Sequence, residues 1–167
     1  MSFSLYDAAV PIFVRGLTNL SGFLDKALAE GLDETALMAA RLHEDMRPLP
    51  AQIQLASDSA KGAVARLAGV DNPSMADTET SFAELKDRIA RTIAFIESVE
   101  PAAFEGAETR PVTLRTPNRE LNFTGAGYLT SFAVPNFLFH VTTAYGVLRK
   151  EGVPLGKLDY LGRLDLV

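Results

Sequence analysis

Residues 4–31 read SLYDAAVPIFVRGLTNLSGFLDKALAEG and form the longest stretch of helical periodicity in the chain. Apolar side chains recur there every three or four residues, which gathers them on one helix face. This predicted inward face consists of Leu5, Ala9, Ile12, Phe13, Gly16, Leu20, Phe23, Leu24 and Leu28. Ser4 and Asp7 resemble a capping arrangement, and Gly31 is a natural stop. The stretch predicts a long amphipathic helix, bent where Pro11 removes one backbone hydrogen bond.

A second long helix is predicted at about 49–68, with prolines at its entry and Gly69 at its end. Its inward stripe is made mostly of small residues, which allows a neighbouring helix to approach closely. The stripe consists of Ile53, Ala56, Ala60, Ala63, Val64 and Leu67. Asp58 and Lys61 lie three residues apart on another face, and we interpret them as an ordinary surface ion pair.

Two further long helices are predicted in the second half of the chain. Ser81 and Glu84 form a capping box for a helix at about 82–99. The other helix is expected at about 126–150, where Pro135 either kinks it or marks its effective start. Both segments carry apolar residues at helical spacing, so they complete a set of four amphipathic helices.

The connections carry weaker signals. Residues 112–114 and 121–123 flank a turn sequence at 116–119 and predict a small β-hairpin that must lean on the helices. A short helix is expected at 33–42, and the tail at 153–167 is expected to wrap over the bundle. The pattern therefore predicts an all-α four-helix bundle, with a short hairpin between the third and fourth long helices, in a single domain over 1–167.

Composition excludes several kinds of site. The 167 residues contain no Cys and two His, which excludes disulfides, cysteine-zinc sites, iron–sulfur clusters and a three-histidine metal centre within one chain. A net charge of −5 argues against general nucleic-acid binding. No basic leader or long uncharged apolar segment is present, so we expect a soluble cytoplasmic domain that does not bind membranes.

His140 is the most informative single residue. On the predicted fourth long helix it lies on the inward face, with Asn136 one turn away. A buried imidazole needs a hydrogen-bonding partner, which Asn136 or Gln52 on the second long helix could supply. Two interpretations stay open: a core histidine with satisfied hydrogen bonds, or a metal ligand or general base.

The other polar motifs of the sequence are more readily explained by structural roles. His43, next to two acidic residues, is interpreted as part of an exposed polar connector. Arg110, Arg115 and Arg119 surround the predicted hairpin and form either a small anion site or a solvated edge that discourages aggregation. Residues 125–127 (GAG) lack the context of a phosphate-binding loop.

Three stretches resemble one known family. They are residues 5–13 (LYDAAVPIF), 48–63 (PLPAQIQLASDSAKGA) and 135–145 (PNFLFHVTTAY), the last continuing to 148–149, 152–157 and 159–162. They are similar to the DUF1993 proteins, a bacterial and fungal family without assigned function. The similarity to the DUF1993 proteins covers nearly the whole chain. That family in turn resembles the DinB-like (YfiT-like) superfamily of four-helix bundles.

The resemblance implies a DinB-like bundle, often a homodimer. Many members of the superfamily bind a divalent metal through three histidines, and several are transferases or isomerases that use low-molecular-weight thiols. Those ligands fall here on Asn136 and His140 of the last long helix and around Gln52 or Ile53 of the second. Only His140 is a good ligand, so the resemblance implies a degenerate metal site, with a weakly bound ion still possible there.

Three hypotheses follow. The first is a bundle without a metal or other cofactor, whose pocket at His140, Asn136 and Gln52 binds a small ligand or nothing. The second is a transferase that uses His140 with Zn, Ni or Mn, or with a low-molecular-weight thiol. The third is a dimeric interaction protein, which predicts an exposed apolar face on the first or fourth long helix.

Overall fold

The computed structural model describes residues 3–116 and 118–166. Met1, Ser2, Pro117 of the predicted hairpin turn and Val167 of the predicted tail lie outside the described residues. The helices are α1 (Leu5–Ala29), α2 (Glu34–Ala39), α3 (Leu49–Ala68), α4 (Phe82–Ser98), α5 (Gly125–Tyr128), α6 (Val134–Lys150) and α7 (Lys157–Leu161). The strands are β1 (Pro111–Thr116) and β2 (Arg119–Thr124). The predicted helical bundle with a hairpin between the third and fourth long helices is confirmed.

Helix α1 begins with the predicted capping box. The Ser4 hydroxyl accepts from the Asp7 backbone N–H, and the Asp7 carboxylate accepts from the Ser4 backbone N–H at 2.9 Å. The helix continues through Pro11 to Ala29. Two residues of the predicted inward face, Ile12 and Leu28, are exposed, because they lie at the borders of an apolar stripe whose centre is occupied by residues such as Leu17.

Helix α3 lies at the centre of the bundle and packs against α4 and α6, while α1 packs against the same two helices. All six residues of its predicted stripe are fully buried. Their small side chains let α6 approach closely, as expected. Gly69 ends α3 with φ 71°, a left-handed conformation that favours glycine.

The hairpin and the start of α6 are joined by helical structure. Val112 pairs with Phe123 in the antiparallel ladder, and the Phe123 ring lies 5.9 Å from the ring of Tyr128 in α5. The predicted support of the hairpin by helices is therefore confirmed. A π-helical turn (Leu129–Ala133) precedes α6, and Val134 N–H donates to the Leu129 carbonyl five residues back. Pro135 is the second residue of α6, and the π-helical turn directly before it keeps the backbone helical on both sides of the proline.

The tail folds back onto α1, as predicted. The Asn19 side-chain amide donates to the Tyr160 carbonyl at 2.7 Å, and Lys26 pairs with Asp159 at 2.8 Å. The Tyr160 hydroxyl lies 2.9 Å from the Thr142 hydroxyl on α6, so α7 closes the seam between α1 and α6. Within the described part of the chain, none of the helices combines the length and hydropathy that crossing a bilayer requires.

Candidate functional site

The seam between α3 and α6 holds His140. The side chain is 9% exposed, and its Nδ1 lies 2.9 Å from the Oε1 of Gln52 on α3. Gln52 is itself 3% exposed. The structure therefore brings together two of the three residues that the sequence analysis grouped as a pocket.

The hydrogen bonds around Gln52 determine which imidazole nitrogen carries the proton. The Gln52 Nε2 donates to the Arg47 carbonyl at 2.9 Å, so the amide oxygen faces His140. Because that oxygen only accepts, the Nδ1 of His140 must donate to it. In the neutral imidazole, Nε2 is then left with a lone pair and acts as an acceptor.

The Nε2 of His140 has no partner among the described residues. It makes no hydrogen bond there, and the side chain as a whole is 9% exposed. Burial lowers the pKa of His140 from its usual value of 6.5, since the charged form loses hydration. The side chain is therefore neutral at physiological pH, as an acceptor at Nε2 requires.

Asn136 lies one turn before His140 on α6 but makes a different contact. Its side-chain amide donates to the Ser59 hydroxyl of α3 at 2.5 Å. Asn136–Ser59 and His140–Gln52 are thus two successive polar pairs along the same seam. The structure does not bring Asn136 into the hydrogen-bonded chain that orients His140.

The donor set here does not fit the metal centre that the superfamily implies. Gln52 uses its oxygen on His140 Nδ1, Asn136 donates to Ser59, and one imidazole nitrogen remains. His43 is exposed and bonds Asp45 at 2.8 Å, as an exposed connector would. No three His, Cys, Asp or Glu side chains within residues 3–116 and 118–166 are grouped to hold a metal.

The arginines near the hairpin do not form a common site. Arg110 donates to the Leu67 carbonyl at the end of α3 and to the Glu105 carbonyl at 3.3 Å. Arg115 pairs with Glu120 across the strands at 3.2 Å. Arg110 therefore holds backbone carbonyls, which neither interpretation predicted, while the exposed Arg115 and Arg119 favour the solvated edge.

A buried cluster around Arg88 of α4 was missed by the sequence analysis. The Arg88 side chain is fully buried, and its Nη2 lies 2.9 Å from Asp58 of α3. Its Nη1 lies 3.0 Å from both Asp77 and Glu79 and donates to the Ala76 carbonyl at 3.1 Å. Arg88 therefore ties the connection between α3 and α4 to both helices. The sequence signal that could have found this cluster is the position of Arg88, three residues after the buried Leu85 on the inward side of an amphipathic helix.

The interpretation of Asp58 and Lys61 as an ordinary surface pair was wrong. Lys61 is 5% exposed, and its ammonium lies 3.1 Å from an Asp58 carboxylate that Arg88 also binds. Helical spacing places the two residues on one face of α3, but it does not reveal that the loop after α3 folds over that face. Burial raises the pKa of Glu79 in this cluster, yet hydrogen bonds from Gln54 and Arg88 outweigh it and lower the pKa overall.

Comparison with known proteins identifies the family. The model of the family described as "Domain of unknown function (DUF1993)" matches residues 5–161. The chain belongs to the DUF1993 family. No curated protein matches this DUF1993 chain significantly.

A solved structure places the family in a wider context. A DinB family member protein from Shewanella denitrificans is 39% identical and superposes with a TM-score of 0.88. The match covers 98% of this chain and 94% of that one. This DUF1993 chain therefore has the DinB-like fold that the sequence resemblance implied.

Proposed function

We propose that this DUF1993 protein is a DinB-like bundle without a three-histidine metal centre, and that its α3–α6 seam binds a small neutral molecule at His140. The observation that carries the proposal is the chain from the Arg47 carbonyl through Gln52 to His140 Nδ1. This series of hydrogen bonds orients an uncharged imidazole whose Nε2 is an acceptor without a partner among the described residues. A matching ligand offers an O–H, N–H or S–H donor.

The surroundings of the imidazole favour a ligand with an apolar body. The Phe139 ring stands edge-on to the His140 ring, with centroids 5.2 Å apart, and Phe139 is 55% exposed. An aromatic side chain beside a single acceptor is suited to a small alcohol or thiol.

Nitrogen-15 NMR of the histidine side chains tests the proposal. At neutral pH we expect His140 as the Nδ1–H tautomer, and titration with 1-butanol or 1-butanethiol should shift its Nε2 resonance saturably. His43 serves as the internal control and should not respond. If His140 is the other tautomer, or if neither probe shifts Nε2, the proposal is contradicted.

The same site predicts a dependence of stability on pH. Because the folded pKa of His140 is below its unfolded value, the unfolded chain binds more protons as pH falls below about 6.5. The free energy of unfolding should therefore decrease with falling pH in that interval. His140→Gln should flatten this part of the curve measured by urea unfolding, and an unchanged slope in that variant would contradict the prediction.

A transferase that uses a metal or a thiol is the second candidate. The unprotonated Nε2 favours it, because metal ligation and proton acceptance from a thiol both need that lone pair. Elemental analysis of the purified chain separates the candidates. Stoichiometric Zn, Ni or Mn that is lost in His140→Ala but kept in His43→Ala would support the transferase and contradict our proposal.

We also propose that the chain forms a homodimer. Ile12 of α1 and Leu138 of α6 are about one-third exposed and flank a groove of about 230 Å³ closed on one side by Tyr160. A second copy would cover this apolar surface. Sedimentation at micromolar concentration should show a dimer that Leu138→Asp dissociates and Val70→Asp does not. A monomeric wild-type chain would remove this proposal.

A further inference from the structure

The Arg66 guanidinium on α3 has an unusual environment. It lies near the Tyr128 ring, with Cζ 5.9 Å from the centroid, and its Nη1 donates to the Tyr128 hydroxyl at 3.4 Å. Within the described residues, no carboxylate lies within 4.0 Å of it. The side chain is exposed, so the N–H groups that do not reach Tyr128 face solvent.

Gly62 makes room for this arrangement. A Cβ atom at position 62 would lie 2.5 Å from Nη1 of Arg66 and 3.7 Å from Nδ2 of Asn72. The Nη1 end of the guanidinium therefore lies in the space that a Cβ atom at position 62 would fill, so a larger residue would displace it. Two nitrogen donors from different segments converge above the same glycine.

The orientation of Asn72 is determined by Lys61. The Lys61 ammonium lies 3.4 Å from Oδ1 of Asn72, and an ammonium only donates. The amide nitrogen of Asn72, with its two hydrogens, is therefore turned towards Gly62 and Arg66. Lys61 pairs with Asp58, and Arg88 pairs with Asp58, Asp77 and Glu79, so Arg66 differs from both in having no carboxylate within 4.0 Å among the described residues.

Tyr128 contributes a further donor. Its side chain is 2% exposed, and its oxygen accepts from Arg66, which leaves the phenolic hydrogen without an acceptor among the described residues. Burial raises the pKa of Tyr128, although the nearby Arg66 opposes this effect, so the phenol keeps its proton at neutral pH. A buried O–H without an acceptor is a polar group that a ligand can satisfy.

We propose that Arg66, Asn72 and Tyr128 form a binding site for a small oxyanion, a carboxylate or a phosphate. The planar guanidinium offers two parallel N–H donors to such a group, and the Asn72 amide and the Tyr128 hydroxyl add donors from either side. The site lies at the C-terminal half of α3, between the loop after α3 and α5. The site does not include His140 or Gln52, so the test of this proposal is independent of the test of the function proposed above.

Titration of the nitrogen-15-labelled full chain with sodium phosphate, and separately with sodium acetate, tests the site at constant ionic strength. We expect saturable shifts of the Gly62 backbone amide and the Asn72 side-chain amide. Saturation by one anion alone assigns the ligand to that class, and saturation by both assigns the shared oxyanion chemistry. Absence of saturation by either overturns the proposal.

Variants separate a built site from general attraction to positive charge. Gly62→Ala keeps every charge but displaces the guanidinium, and should weaken binding roughly tenfold, as should Arg66→Gln. Tyr128→Phe should weaken it roughly threefold to tenfold. Arg119→Gln, an exposed charge on β2, is the matched control and should bind as wild type. If Gly62→Ala remains folded by circular dichroism and binds as wild type, the site is overturned.

Discussion

We expect Arg88→Met to lower the free energy of unfolding by about 3–5 kcal/mol, the range that follows removal of one partner from a buried ion pair. Arg88 is fully buried and lies within 3.0 Å of Asp58, Asp77 and Glu79. Methionine keeps the apolar volume but leaves Glu79, which is 5% exposed, without its cation. Urea unfolding monitored by circular dichroism measures the loss.

The matched control is Arg91→Met on the same helix. Arg91 pairs with Asp87 at 2.8 Å, but both side chains are more than half exposed, so the change should be within about 0.5 kcal/mol. Hydrogen exchange in Arg88→Met should increase first in the connection between α3 and α4, where Arg88 holds the Ala76 carbonyl. Equal decreases in the free energy of unfolding of the two variants would show that Arg88 does not hold the connection between α3 and α4 in place.

The second large effect is expected at Gly125, where we predict that Gly125→Ala destabilises the protein by about 1–3 kcal/mol or more. A Cβ atom there would overlap the Ala107 carbonyl oxygen and contact Leu67 at 3.2 Å. The overlapping atom belongs to the backbone, so the segment before the hairpin must move. The Ala126 N–H bond to the Glu108 carbonyl, now 3.0 Å long, would be disturbed as well.

Gly22→Ala in the middle of α1 is the control for this substitution. A Cβ at Gly22 meets no atom within 4 Å, so alanine should stabilise the helix by about 0.5–1 kcal/mol. Opposite changes in the melting temperature of the two variants would confirm the distinction. A stabilising Gly125→Ala would contradict the close approach of the two segments.

The candidate site could be predicted from the sequence only in part. Helical spacing predicted that His140 faces inward, and a buried imidazole in need of a partner suggested Gln52, which the structure places at 2.9 Å. Asn136 was grouped with them because it lies one turn away. It bonds Ser59 instead, since the direction of a side chain across a helix seam depends on which group of the facing helix lies opposite.

Local rules account for most of the fold. The predicted bounds of α3 agree with the structure, because prolines and a left-handed glycine act within a few residues of the helix ends. The five-residue α7 was not predicted, since so short a helix carries too few residues to show a period. Its place depends on contacts with Asn19 and Thr142, far away in the chain.

The sequence by itself determined the four long helices, the hairpin and the inward position of His140, because capping, periodicity and turn chemistry are properties of neighbouring residues. Only the tertiary structure decided that Lys61 and Arg88 are buried, that Arg66 and Asn72 meet above Gly62, and that Tyr128 lies beside Arg66. These arrangements depend on a loop folding over α3 and on the packing of α5 beside it. The charge of a side chain does not specify which distant segment will pack over it, because that depends on how the helices and loops fold together.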